Sequence, residues 1–199
     1  ADLSFSDIRD VDFSSSTLIG TSLSQAEEHG ANFYNTLTDK PKGEKFTEEK
    51  VSLSELILIH DSWLSSGGRN GKQLDLSYTD MREGPSLAGK QLTAIKADNS
   101  TFADMDLRSI QMQSSKLQGS DFRKSNMRHA DLRASDLSNT MFDRADLSDA
   151  KLTSLTFKRK DGTSYQIPCN LENAVITNAK LMGADLRDAI LKGVDFTNS

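Results

Sequence analysis

The chain has one cysteine, Cys169, so no internal disulfide can form and a four-cysteine metal site is impossible. That fits a reducing compartment and a cytoplasmic location. The chain opens with Ala1 already inside a repeat, which leaves secretion open. No apolar run approaches the roughly 18 residues of a membrane span, and the longest apolar cluster, ELILIHDSWL, is short and charged. No membrane partner is expected. The three histidines, His29, His60 and His129, stand in different modules without metal-ligand spacing. A phosphate loop is missing as well. SGGRNGK has glycines but neither the required spacing nor the following Ser/Thr, and it follows a helix instead of opening one. A broad basic stripe is also absent: the net charge is −5, and residues 69–199 hold 17 acids against 19 bases. Direct nucleic-acid binding is therefore not expected.

What is present is a period of five. From Leu87 through Phe157, 15 consecutive positions five apart carry Leu, Ala, Met or Phe centres. The pattern resumes at Leu171, Ile176, Leu181, Leu186, Leu191 and Phe196. It also appears at Leu3, Ile8, Phe13, Leu18, Leu23 and Phe33, with Glu28 as the gap. Leu76 and Met81 fit one residue out of phase. Two residues before each centre sits a small one, such as Ser120, Ser125, Ala130 and Ser135. Residues two apart on an extended segment point the same way, so both face inward. Neither the helical nor the strand period allows this spacing. A corner in every unit does, and four corners close a coil of 20 residues.

These units resemble the pentapeptide-repeat family, whose units read A(D/N)LXX; HADLR, ASDLS, RADLS and GADLR are close matches. The resemblance implies an all-β solenoid, a right-handed quadrilateral β-helix with coils about 4.8 Å apart. Residues 20 apart should then stack. Phe102, Phe122 and Phe142 form one column, Asp104, Lys124 and Arg144 another, and Arg108 and Arg128 a like-charged pair that must lie in water or meet an anion.

Departures from the pattern mark the other parts. Residues 1–35 read as a short repeat segment with a loop at AEEHGANF, and 36–51 as a polar connector, with Pro41 and Gly43 against a helix. Residues 52–68 read as an amphipathic helix near 53–65, with Leu53, Leu56, Ile57, His60, Trp63 and Leu64 on its apolar face. A Ser52/Glu55 capping box starts it and Gly67–Gly68 stop it. It is expected to cap the main solenoid, 69–199, with His60 packed in the core. Lys90 in an inward slot implies a bulge, and Met105, Ile110 and Leu155 imply widened coils. In FKRKDGTSYQIPCNL the DG pair signals a protruding hairpin near 157–168 (insertion 158–169) with a two-residue turn, leaving Cys169 as an inert buried thiol.

Asp and Ser are abundant, but the repeat uses them as outward positions, and a flat β-helix wall offers no catalytic cleft. An enzyme is not expected, and no catalytic, cofactor-binding or metal residues are assigned. The expected function is a non-catalytic scaffold for protein–protein interaction. Its candidate sites are the hairpin residues Lys158, Arg159, Lys160, Asp161, Gly162 and Tyr165, and a basic face of Arg108, Arg123, Lys124, Arg128 and Arg133. Two alternatives stand beside it. Family members linked to quinolone resistance mimic DNA and bind type II topoisomerases such as gyrase. The basic residues argue against that here, and only residues 1–35 are acidic, with Asp2, Asp7, Asp10, Asp12, Glu27 and Glu28 against Arg9. The other alternative is a structural spacer in a longer protein. The repeats reach Phe196 without a closing helix, and such an open last coil suits a homodimer.

Overall fold

The computed structural model describes residues 1–14, 16, 18, 20–33, 36, 38, 42–48 and 51–199. The chain forms two compact units, Ala1–Pro41 and Lys42–Ser199. Pro41 itself lies outside the described residues.

In the second unit, single parallel bridges join residues about one coil apart: Gln91 to Gln111, Lys96 to Lys116, Thr101 to Asp121 and Asp106 to Asn126. These four sides repeat up the column, so each coil is four-sided. The first coil is one residue longer, as Asp75 pairs with Lys96 and Asp80 with Thr101. This accounts for the phase slip at Leu76 and Met81. Centres from Leu87 to Leu152 are fully buried, and Phe122 stacks between Phe102 and Phe142 with centroids 5.0 and 5.2 Å apart.

Most corners are four-residue turns closed by an N–H to carbonyl bond, as from Met105 to Phe102, while at Ile95, Ser100 and Ser115 the N–H goes instead to a serine hydroxyl of the next coil. The third residue of the turn has positive φ, whether the side chain is Asp104, Ser109, Lys124, His129 or Arg144. Outside glycine this conformation is unfavourable. Here the same residue's N–H joins the coil above, Lys124 to the Asp143 carbonyl, for example. Asn and Asp, which tolerate it best, lie under glycines at four corners where a Cβ would collide: Asp10 beneath Gly30, Asn99 beneath Gly119, Asp149 beneath Gly183 and Asn173 beneath Gly193.

Strand β1 (Glu44–Lys45) pairs in parallel with β2 (Thr79–Asp80). Residues read as connector therefore belong to the solenoid wall. Helix α1 (Leu53–Ser65) starts on Ser52, whose hydroxyl accepts the Glu55 N–H, and ends on positive-φ Gly67 and Gly68. Of the expected capping box only this bond from the Glu55 N–H is made among the described residues, with none from the Ser52 N–H to the Glu55 carboxylate; the Leu53 N–H is taken by the Glu48 carboxylate at 2.7 Å. Leu53 and His60 are buried, while Leu56 and Ile57 pack against the core. His60 Nδ1 accepts the Leu74 N–H at 3.1 Å, so its Nε2 must carry the proton donated to the Thr93 carbonyl at 2.8 Å. The histidine is a structural clamp between helix and first coil.

Several irregularities expected from sequence are absent. Lys90 makes no bulge: its carbonyl accepts the Gln111 N–H in the regular ladder, and its side chain is exposed. Met105 and Ile110 leave the ladder unbroken, with their carbonyls bonded at 2.9 Å to the next coil.

The bridge offset rises from 20 residues to 34 at Asp136–Asn170, so 14 residues are inserted without disturbing the coils above. They form the antiparallel hairpin β3 (Leu155–Lys158) and β4 (Ser164–Ile167). Leu155 and Phe157 thus leave the coil pattern and enter the hairpin. The turn is not the expected two-residue type. The Gly162 N–H bonds the Arg159 carbonyl, the Arg159 N–H bonds the Thr163 carbonyl, and Gly162 has φ +85°. This is a three-residue loop with a glycine bulge. Cys169 is buried as expected, and burial pushes its thiol up to about 12.

The first unit has two coils, bridged at Asp2–Ser22, Asp7–Glu27 and Asp12–Asn32, with Phe13 stacked on Phe33 at 5.3 Å. Glu28 does not open a loop. Ladder bonds to the Glu27, His29 and Asn32 carbonyls carry the coil straight through AEEHGANF.

Candidate interaction surface

The basic face expected from sequence is largely neutralised by its own chain. In an Asp-x-Arg unit the aspartate occupies the bridge position and the arginine the second turn position. One carboxylate oxygen accepts the arginine's N–H and Nε, and the other accepts Nη2. Asp106–Arg108, Asp121–Arg123 and Asp131–Arg133 all do this, with Nη2–O distances of 2.7, 2.5 and 2.6 Å. Asp80–Arg82 and Asp185–Arg187 repeat it. The Arg187 hydrogen bonds, more than its charge, hold Asp185 down to about 2. Arg128 follows Asn126 instead of an aspartate, and rests 3.7 Å from Asp146 and 4.0 Å from Asp149. Arg108 and Arg128 therefore each meet a carboxylate and do not confront one another. Lys124 is exposed but makes no ion pair with Asp104 among the described residues.

Arg123 is removed from the surface altogether. Its side chain is 9% exposed and that of Asp121 1%. Lys42 lies alongside, its N–H bonded to Thr101 Oγ1 at 2.6 Å and its ammonium to the Gly119 carbonyl. Burial lowers the Lys42 pKa, and Asp121 partly restores it.

The hairpin presents a different chemistry. Leu155 faces Ile167 and Phe157 faces Tyr165 across the strands, so these four side chains share one face of the ribbon. The Phe157 and Tyr165 rings stack at 5.6 Å, and the Arg159 guanidinium lies 4.5 Å from the Tyr165 centroid. Tyr165 and Ile167 are still 38% and 37% exposed. Lys158, Arg159 and Lys160 are exposed at the tip and make no ion pair among the described residues. The tip's one acid, Asp161, is occupied by the Thr163 N–H and hydroxyl at 2.9 and 2.6 Å. Gly162 supplies only the turn.

At the foot of the ribbon, ending at Thr153, runs an open groove of about 680 Å³ lined by His129, Arg133, Asp149, Lys151, Asp185 and Arg187. Sequence reasoning missed it. Its signal was the column Asp131, Lys151, Asp185, visible only once the 14-residue insertion is subtracted. Among the described residues no group of His, Cys, Asp or Glu is placed to hold a metal ion, and no helix is long and apolar enough to cross a membrane.

The family model for pentapeptide repeats matches residues 115–153 and 169–199 with eight copies. No curated protein matches. Similar solved structures include a pentapeptide repeat protein from the Arabidopsis thaliana thylakoid lumen, 24% identical, covering 55% of this chain and 59% of that one, with a TM-score of 0.38. Another is the pentapeptide repeat protein Rfr23 from the cyanobacterium Cyanothece 51142, 17% identical, covering 77% and 78% of the two chains, TM-score 0.32. QnrB1, a plasmid-mediated fluoroquinolone resistance protein, is 16% identical, covering 63% and 72%, TM-score 0.30. The five-residue units, the four-sided coils and the eight matched copies agree: the chain carries pentapeptide repeats over residues 115–153 and 169–199.

Proposed function

We propose that this protein is a non-catalytic scaffold, a right-handed β-helix closed at one end by α1, which docks a partner protein through hairpin β3–β4. The observation that carries this reading is the hairpin itself. It is inserted without disturbing the ladder, it leaves an aromatic face half-exposed, and it gathers three unpaired cations at its tip. A two-stranded ribbon has little stability of its own, so apolar side chains left open on it are better explained by a partner than by folding. The walls serve as a rigid support, with the Asp-x-Arg charges satisfied within each unit.

The test compares the intact chain with one in which residues 158–166 are replaced by an Asn-Gly turn. Partner binding should disappear while the melting temperature stays within a few degrees. Retained binding would move the site onto the walls.

A second reading rests on the acid-rich residues 1–35, which hold six carboxylates against one arginine. Mimicry of DNA by that segment predicts inhibition of gyrase supercoiling by the intact chain. An inert protein in that assay removes it.

A further inference from the structure

We propose that the hairpin binds an acidic peptide segment of its partner that also carries aliphatic side chains, with Arg159 as the anchor for a carboxylate. This rests on the reading of the hairpin as the docking element, and names what it docks. Two features select the ligand chemistry. The first is charge: Lys158, Arg159 and Lys160 have no carboxylate partner among the described residues, and the Asp161 carboxylate is engaged by the Thr163 N–H and hydroxyl. Lys151 on the wall, in no ion pair among the described residues, lines the groove at the foot of the ribbon. The second is shape. Leu155, Phe157, Tyr165 and Ile167 form a strip one side chain wide, suited to the alternate residues of an extended chain.

Arg159 is already ordered. It lies over Tyr165 and donates from Nη1 to Thr163 Oγ1 at 3.3 Å, which leaves Nε and Nη2 to form a fork for a carboxylate. An anchor fixed before binding loses little further freedom when it pairs. The same packing disfavours a nucleic acid. The Tyr165 ring already bears Phe157 and Arg159, whereas base recognition on single strands needs an open aromatic face.

The full chain would be titrated by fluorescence anisotropy with a short peptide alternating glutamate and leucine. A lysine–leucine peptide, an oligothymidylate and phosphatidylserine vesicles would be run in parallel. The glutamate peptide alone should bind, and more weakly as salt rises. Arg159→Glu should weaken it by about tenfold or more, and Arg159→Lys, which keeps the charge but loses the fork, by several-fold. Circular dichroism would show both variants folded, since the hairpin stands outside the coils. The inference is overturned if no peptide binds, if Arg159→Glu binds equally well, or if the oligonucleotide or vesicles bind better than the peptide. In those last two cases, loss of binding on replacing 158–166 would keep the hairpin as docking element. Binding that survives the replacement overturns both readings.

Discussion

The Ser120 hydroxyl accepts the Ser100 N–H at 3.0 Å and donates to the Ala97 carbonyl at 2.5 Å, both in the coil before it. Ser115 and Ser135 make the same kind of clamp on Leu92 and Met112. Alanine fits these slots sterically, as Ala130 and Ala145 show, so Ser120→Ala isolates the hydrogen bonds from packing. Leaving a buried N–H and carbonyl unmade should cost about 1–3 kcal/mol, read by urea denaturation. A change near zero would mean that water replaces the hydroxyl. The Asp-x-Arg staples give a second prediction. Hydrogen bonds from Arg82 and Arg108 lower Asp80 and Asp106, and at Asp131 burial alone would raise the pKa but Arg133 outweighs it. Carboxylates lowered in the folded state add stability above the ordinary value of 3.8, and it is lost as pH falls through their folded values, about 2 for Asp7 and Asp185. Melting temperature should therefore be flat near neutrality and fall between pH 4 and about 2. Arg133→Gln should start lower at neutral pH and fall less steeply, because Asp131 then protonates more easily. The staples were not legible beforehand. The column reading sets Arg108 beside Arg128, 20 residues away, while the aspartate that Arg108 pairs with stands two residues before it.

Helix α1 was legible to the residue, because Ser52 and Gly67–Gly68 bound a clear 3.6-residue pattern. Its attachment was not, since nothing in a sequence says which backbone groups a buried histidine will take. Replacing His60 by Phe keeps a packed ring and forfeits the bonds to Leu74 and Thr93. We expect a loss of about 2–4 kcal/mol and faster amide exchange at Leu74, with the upper coils unaffected. Equal stability would mean that packing alone holds the helix. β1 escaped the sequence reading because two-residue strands leave no periodic signal, and Glu44–Lys45 is polar on both faces. The hairpin was found from DG, but its turn was mistyped. Arg159 and Thr163 extend the pairing to the edge of a longer loop, which the DG pair alone cannot reveal.

Across the whole molecule, the period of five fixed coils, columns and phase before any coordinate was known, because stacked identical turns leave the same residue types at the same slots. What it could not show was the hand of each corner residue. Lys124, His129 and Arg144 adopt positive φ only because the ladder above holds them. The same repetition predicts that a whole coil is removable. Deleting residues 121–140 joins Ser120 to Met141, brings Phe102 onto Phe142, and keeps every column in phase. That variant should fold with a lower melting temperature and an unchanged circular dichroism signature. Deleting one residue fewer should lower the melting temperature further, because the coil at the junction must then hold one extra residue, as the first coil does. The coils of the second unit should also behave distinctively under load. Tension applied at Ser199 meets only the bonds of the last coil, as Asp195 to Val175 and Ile190 to Asn170. Each such coil, once lifted, releases about 20 residues, roughly 70 Å of slack. The molecule should pay out length in even steps, like line from a reel, so that a sharp pull is absorbed one turn at a time and the turns beneath stay wound.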